Sequence, residues 1–294
     1  MRFAYFPGCK IPFHMPEYGA GVRAVCAALG VELVEPEFSC CGWPARHENF
    51  LASMYTAARN LALARAEGLD ILTPCKCCFG NLMHARHRMA RSPELAGRIR
   101  DMLAAEGLPD AQPESGGTRV LHLLTVLDEH VGAERLAEAA TRPLTGLTVA
   151  CHYGCHALRP SDVTDFDDPL APTVFERTIR ALGADTVDWD LRLECCGHPL
   201  RGRDDAVSEA LLRKKLSSAE AAGADVVATA CTYCQMQFDT ERMRLPAADP
   251  VHAAPPAVLV TDLAARALGL ATGADHGAGF APGARTAMTD TSNT

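Results

Sequence analysis

The chain has 294 residues, 48% hydrophobic and 22% charged, the balance of a globular protein with room for two modest domains. A formal net charge of -8 excludes a broad phosphate-binding surface, so nucleic acid is not an expected partner. No run approaches the about 18 uninterrupted apolar residues of a membrane helix, and direct membrane insertion is not expected either.

A short strand, Arg2 to Phe6, opens the chain and enters Cys9. A helix-compatible stretch runs from Tyr18 to Leu29, Gly30 ends it, and a second strand leads toward Cys40-Cys41-Gly42. A longer helix spans Asn49 to Glu67, and Ile71-Leu72 forms a third strand that delivers Cys75-Lys76-Cys77-Cys78 at its carboxyl end. Pro109 to Thr118 is rich in Pro, Gly, Glu and Ser and reads as a solvated connection, after which Val120 to Thr125 opens a helical stretch. The cycle restarts after Arg142-Pro143-Leu144-Thr145-Gly146, with a strand from Leu147 to Ala150, Cys155, a helix from Thr173 to Leu182 and Gly183. Next come a strand toward Cys195-Cys196-Gly197, a helix from Asp204 to Ala222, a strand at Val226-Val227-Ala228 and Cys231-Thr232-Tyr233-Cys234. Ala257 to Thr261 repeats Val120 to Thr125. From Ala271 the composition predicts a disordered tail, and its Gly277-Ala278-Gly279 lacks the strand and helix of a nucleotide fingerprint.

The cysteine intervals show duplication. Thirty residues lie between Cys9 and Cys40 and thirty-nine between Cys155 and Cys195; thirty-three and thirty-four precede the respective Cys-x-x-Cys. Flanking residues agree, as in Cys-Cys-Gly-Trp-Pro from Cys40 and Cys-Cys-Gly-His-Pro from Cys195. Strands alternating with helices imply right-handed βαβ units, hence an α/β fold of two tandem pseudo-symmetric domains. Expected bounds are 1–145 and 146–270, followed by the tail at 271–294. All five cysteines of each half are placed at strand carboxyl ends, where such sheets collect ligands.

Thirteen cysteines cannot all pair within one chain, and so many thiols point to metal or redox chemistry in a reducing, cytoplasmic setting. Adjacent cysteines on a straight strand face opposite ways, so Cys40-Cys41 and Cys195-Cys196 need a bend, which the next glycine permits. Five thiols overfill a four-ligand zinc site, whereas an iron–sulfur cluster bridged by sulfide accommodates them.

This double pattern of Cys, Cys-Cys-Gly and Cys-x-x-Cys resembles the CCG domain of the heterodisulfide reductase B subunit, over most of residues 1 to 270. The resemblance implies two non-cubane [4Fe-4S] clusters and a disulfide cleaved between them. It places one cluster on Cys9, Cys40, Cys41, Cys75 and Cys78, and the other on Cys155, Cys195, Cys196, Cys231 and Cys234. The extra Cys77 leaves Cys75-Cys77 conceivable beside Cys75-Cys78, although spacing and the following Phe79-Gly80 favour Cys78. The implied partners are a ferredoxin-like iron–sulfur subunit and a flavin-containing subunit, since no flavin or nicotinamide motif is visible in this sequence. The implied substrate is a small disulfide or a lipoyl-linked sulfur compound.

His152 and His198 are the favoured histidines for donating to cluster sulfur or protonating a leaving thiolate, with His156 a further candidate. Each also reads as a loop histidine satisfied by backbone or water. Cys26 reads as a small buried hydrophobe and Cys151 as strand core. His47, His84, His87, Arg86, Arg88 and Arg91 form a basic region near the first site, usually just a solvated face, that suits an acidic substrate arm. Three functions compete: a disulfide reductase component, an electron relay for a succinate or glycolate oxidase type of enzyme, and a zinc-stabilised scaffold.

Overall fold

A computed structural model describes residues 1–111 and 117–271. The expected tail, with Gly277-Ala278-Gly279, lies outside the described residues apart from Ala271, as does half of the connection Pro109 to Thr118. The chain divides into two compact units. The first comprises Met1–Val126 and His156–Pro169; the second comprises Leu127–Cys155 and the described residues from Leu170 on.

In the first unit, strands β1 (Arg2–Tyr5), β2 (Glu32–Val34), β3 (Ile71–Thr73) and β4 (Val120–His122) form a sheet in the order β2-β1-β3-β4. Every pairing is parallel, in registers such as Ala4 with Val34, Tyr5 with Leu72 and Thr73 with His122. β3 is buried throughout, which explains its uninterrupted apolar start. Helices Pro16–Ala28, Phe50–Ala66 and Lys76–Arg91 follow β1, β2 and β3. Asn49 starts the second of these by accepting the Ala52 N–H at 3.0 Å, a cap worth about 1 kcal/mol. Tyr18 Oη donates to the Pro74 carbonyl at 2.8 Å and fixes the residue before Cys75.

The second unit repeats this plan with β5 (Thr148–Cys151), β6 (Asp185–Val187), β7 (Val226–Thr229) and β8 (Ala257–Leu259), ordered β6-β5-β7-β8 and again all parallel. Its helices are Val174–Ala181, Asp205–Ala221 and Thr232–Met236. Asp204 caps the long one by accepting the Val207 N–H at 3.0 Å, as Asn49 does in the first unit.

The α/β class and the tandem repeat are therefore as expected. The fourth strand of each sheet is an addition: Val120 and Ala257 begin strands, and a helix starts only at Leu123 or Val260. Three-residue strands running straight into helices give too short an apolar run to show period two.

The strand order determines where a site forms. β1 is followed by a helix that crosses to β2 on one side, whereas β3 lies on the other. The crevice beyond the carboxyl ends of β1 and β3 is thus a topological switch point, and β5 and β7 repeat it. Cys9 and Cys75 follow β1 and β3; Cys155 and Cys231 follow β5 and β7.

Candidate functional site

Within the first unit, Cys9 and Cys40 Sγ lie 3.7 Å apart. Cys40 interacts in turn with Cys41, Cys41 with Cys78, and Cys78 with Cys75. The same succession recurs in the second unit: Cys155 with Cys195, Cys195 with Cys196, Cys196 with Cys234, and Cys234 with Cys231. All ten sequence-predicted cysteines are thus gathered into two groups of five. Cys9, Cys40, Cys155 and Cys195 are half-buried and the other six are buried, so each group has one side open to approach.

The Cys-Cys-Gly bend explains how adjacent cysteines serve one site. Gly42 and Gly197 adopt φ of 85° and 93°, the left-handed region that favours glycine. This turns their N–H groups onto the preceding thiols, with Gly42 N to Cys40 Sγ at 3.5 Å and Gly197 N to Cys195 Sγ at 3.4 Å. The next backbone N–H, from Trp43 or His198, donates to Cys41 or Cys196. Two of the buried thiols, Cys78 and Cys234, pack against glycine turns. An added Cβ at Gly8 would meet Cys78 Sγ at 2.6 Å, and one at Gly154 would meet Cys234 Sγ at 3.6 Å.

Crowding sets the electrostatics. Hydrogen bonds from Cys41 and Cys9 hold the Cys40 thiol far below its usual range. Donation to Cys40 pushes Cys9 and Cys41 up, while contacts with Cys41 and Cys75, then burial, push up Cys78. In the second unit, bonding to Cys195 raises Cys155 and lifts Cys196 to about 12, and contacts with Cys196 and Cys231 raise Cys234. One ionised thiol therefore opposes ionisation of the next. A strongly cationic guest would relieve this opposition and let neighbouring thiols act as thiolates together, as they do at a metal or iron–sulfur site.

The remaining candidates are placed as follows. His152 is buried at the end of β5 with Nε2 3.3 Å from Cys234 Sγ, and His152, Cys196 and Cys234 offer ligand atoms within 4.8 Å of one another. His198 is half-buried with its ring 4.8 Å from that of Tyr233. Cys77 Sγ lies 3.3 Å from His156 Nδ1, in the first unit, and the His156 ring stands edge-on to Trp43 at 4.2 Å. Cys26 is buried in the Pro16–Ala28 helix, where burial lifts its thiol to about 12, and Cys151 is strand core. His47 is exposed, and His84, His87, Arg86, Arg88 and Arg91 follow the first group along the Lys76–Arg91 helix. Burial first, then Arg88 and His87, hold the His84 imidazole below its usual range.

Two residues that sequence reading passed over support the Cys-Cys loops. Asn60 accepts the Ser39 N–H at 2.9 Å and donates to the Cys40 carbonyl at 3.0 Å. Lys215 donates from Nζ to the carbonyls of Leu191 and Glu194, the latter at 2.9 Å. Within helices of mixed composition, only the burial of their polar groups marks them.

A model of the cysteine-rich CCG domain matches residues 3–83 and 149–239, more than half of the chain. A protein from Archaeoglobus profundus, similar to the B subunit of heterodisulfide reductase, is 35% identical over 252 residues, covering 83% of this chain and 83% of that protein. The chain belongs to the heterodisulfide reductase B-subunit family. Within this CCG family, the B subunit of a ferredoxin/F420H2-dependent CoB-CoM heterodisulfide reductase from Methanosarcina acetivorans is 32% identical over 81% of this chain and 79% of its own. An 8-methylmenaquinol:fumarate reductase membrane anchor subunit from Wolinella succinogenes is 35% identical, covering 81% and 82%. A crystal structure of a hypothetical protein from Helicobacter pylori shares the fold, with a TM-score of 0.70 at 16% identity over 92% of this chain. This chain spans about half, 49%, of that structure's length. Family and thiol groups together support an iron–sulfur redox role. Among the described residues no helix is long and apolar enough to cross a membrane.

Proposed function

We propose that this chain is the iron–sulfur catalytic subunit of a heterodisulfide reductase-like complex, cleaving or forming a small disulfide with two non-cubane [4Fe-4S] clusters. The observation that carries this reading is the repeated five-thiol group, whose donors fit a polynuclear centre better than a four-ligand ion. Cys9, Cys40, Cys41, Cys75 and Cys78 would hold one cluster, and Cys155, Cys195, Cys196, Cys231 and Cys234 the other. When bound, such clusters supply one-electron carriers and Lewis-acidic iron.

The chain's own residues prepare the rest. The N–H groups of Gly42, Trp43, Gly197 and His198 donate to sulfur and stabilise its negative charge. The half-buried thiols leave an approach, while buried Cys41, Cys78, Cys196 and Cys234 keep water from the inner side. Reducing R–S–S–R′ to two thiols takes two electrons and two protons. In this reading half-buried His198 moves a proton, whereas buried His152, 3.3 Å from Cys234 Sγ, orients and polarises that thiol. The electrons come from or pass to a ferredoxin-like iron–sulfur subunit and a flavin-containing subunit in the cytoplasm. A small disulfide or a lipoyl-linked sulfur compound fits the chemistry as substrate.

A relay reading is favoured by one observation, the Wolinella relative named as a fumarate reductase membrane anchor subunit. Anaerobic purification separates the alternatives. The catalytic reading expects about eight iron and eight sulfide per chain, reoxidation of the reduced protein by disulfides, and loss of turnover in Cys196→Ala with the opposite cluster still reducible. A brown protein inert to every disulfide would establish the relay. Stoichiometric zinc without sulfide would sink both.

A further inference from the structure

We infer that Lys215 is a positioning residue that raises the reduction potential of the second cluster, its buried ammonium beneath the Cys195-Cys196 bend favouring the more negative reduced state. The inference rests on the proposal that a cluster occupies this group.

The two copies provide an internal comparison. Asn60 and Lys215 each stand eleven residues beyond the cap of their helix, Asn49 and Asp204. Each is buried, and each ties down the backbone that leads into a cysteine pair. Asn60 shows that this tether needs no charge. Lys215, a residue only 1% exposed, performs the same task with an ammonium, and burying a cation is costly unless something nearby repays it.

The carbonyls of Leu191 and Glu194 satisfy two of its N–H groups, and the Trp189 ring centroid lies 4.9 Å from Nζ. The other charged groups that act on it are Cys196, Cys234, Glu194 and Cys195. Burial draws its pKa down to about 8, still above neutrality, and attraction from Glu194 and from any neighbouring thiol that ionises opposes the fall. Thiolates and sulfides in the same group would add to that attraction, most strongly after an electron is gained. Net charge near a cluster is one of the determinants of its potential. The first unit has its own buried lysine, Lys76, between Cys75 and Cys77, so the inference concerns the effect of Lys215 on its own group and does not rank the two.

An anaerobic redox titration of the full chain, followed by electron paramagnetic resonance, tests this with iron and sulfide measured in parallel. Lys215→Gln retains a donor for the carbonyls and removes the charge. One of the two midpoints should fall, with the reduced-to-oxidised ratio at a given poise dropping at least tenfold, about 59 mV for one electron. The other midpoint should stay, and Lys215→Arg should restore the first. In the converse variant, Asn60→Lys should raise the midpoint that Lys215→Gln leaves alone. Full cluster content with both midpoints unmoved in Lys215→Gln would overturn the inference. If that variant loses its cluster, an unmoved midpoint in Asn60→Lys overturns it. Wild-type protein without sulfide would overturn the cluster reading itself.

Discussion

The α-carbon of Gly42 faces Ser53 so closely that an added Cβ would stand 2.5 Å from the Ser53 carbonyl oxygen. Gly197 has the same relationship with Ser208, at 2.8 Å. Each helix backbone thus limits how far its Cys-Cys-Gly bend can move. A side chain here meets both that wall and the left-handed backbone, the latter costing about 1–2 kcal/mol. Gly42→Val should therefore lose the first cluster and keep the second, halving iron and sulfide, and Gly197→Val should do the reverse. Unchanged spectra and metal content in either variant would show that the bend is not needed.

Cys78 contacts both Cys41 and Cys75, while Cys77 lies against His156. Cys77→Ser is expected to retain the full iron content, and Cys78→Ser to lose one cluster. Sulfide analysis and visible absorption of the two variants check this. Loss in Cys77→Ser with retention in Cys78→Ser would reassign the ligand.

Tyr153 Oη sits between the Glu176 carboxylate, at 2.5 Å, and the Phe175 N–H, at 2.8 Å, with Arg192 3.2 Å from Glu176. Tyr153→Phe preserves shape but removes the group that both neighbours use, at a cost of about 1–3 kcal/mol. Burial and Glu176 hold the Tyr153 phenol above its usual range, so it remains a donor across the neutral range. Denaturant unfolding of the full chain should show the second unit destabilised. An unaltered unfolding curve would mean that the network contributes nothing.

The sequence alone determined the repeat, the α/β class and the ten cysteines that converge, because a thiol's position relative to a strand end is a matter of spacing. Cys9, Cys75, Cys155 and Cys231 each follow a strand, and parallel sheets put such residues at one edge. The last strands, Val120–His122 and Ala257–Leu259, escaped detection because three residues show no period before the helix begins. His156 follows Cys155 directly in sequence yet packs with the first unit, against Cys77 and Trp43. Lys215 carried the least signal of all, since a lysine in a mixed helix ordinarily marks a solvated face. Only tertiary structure decided that this one is buried, because burial depends on the loop and sheet packed over a helix face and not on the residues along it.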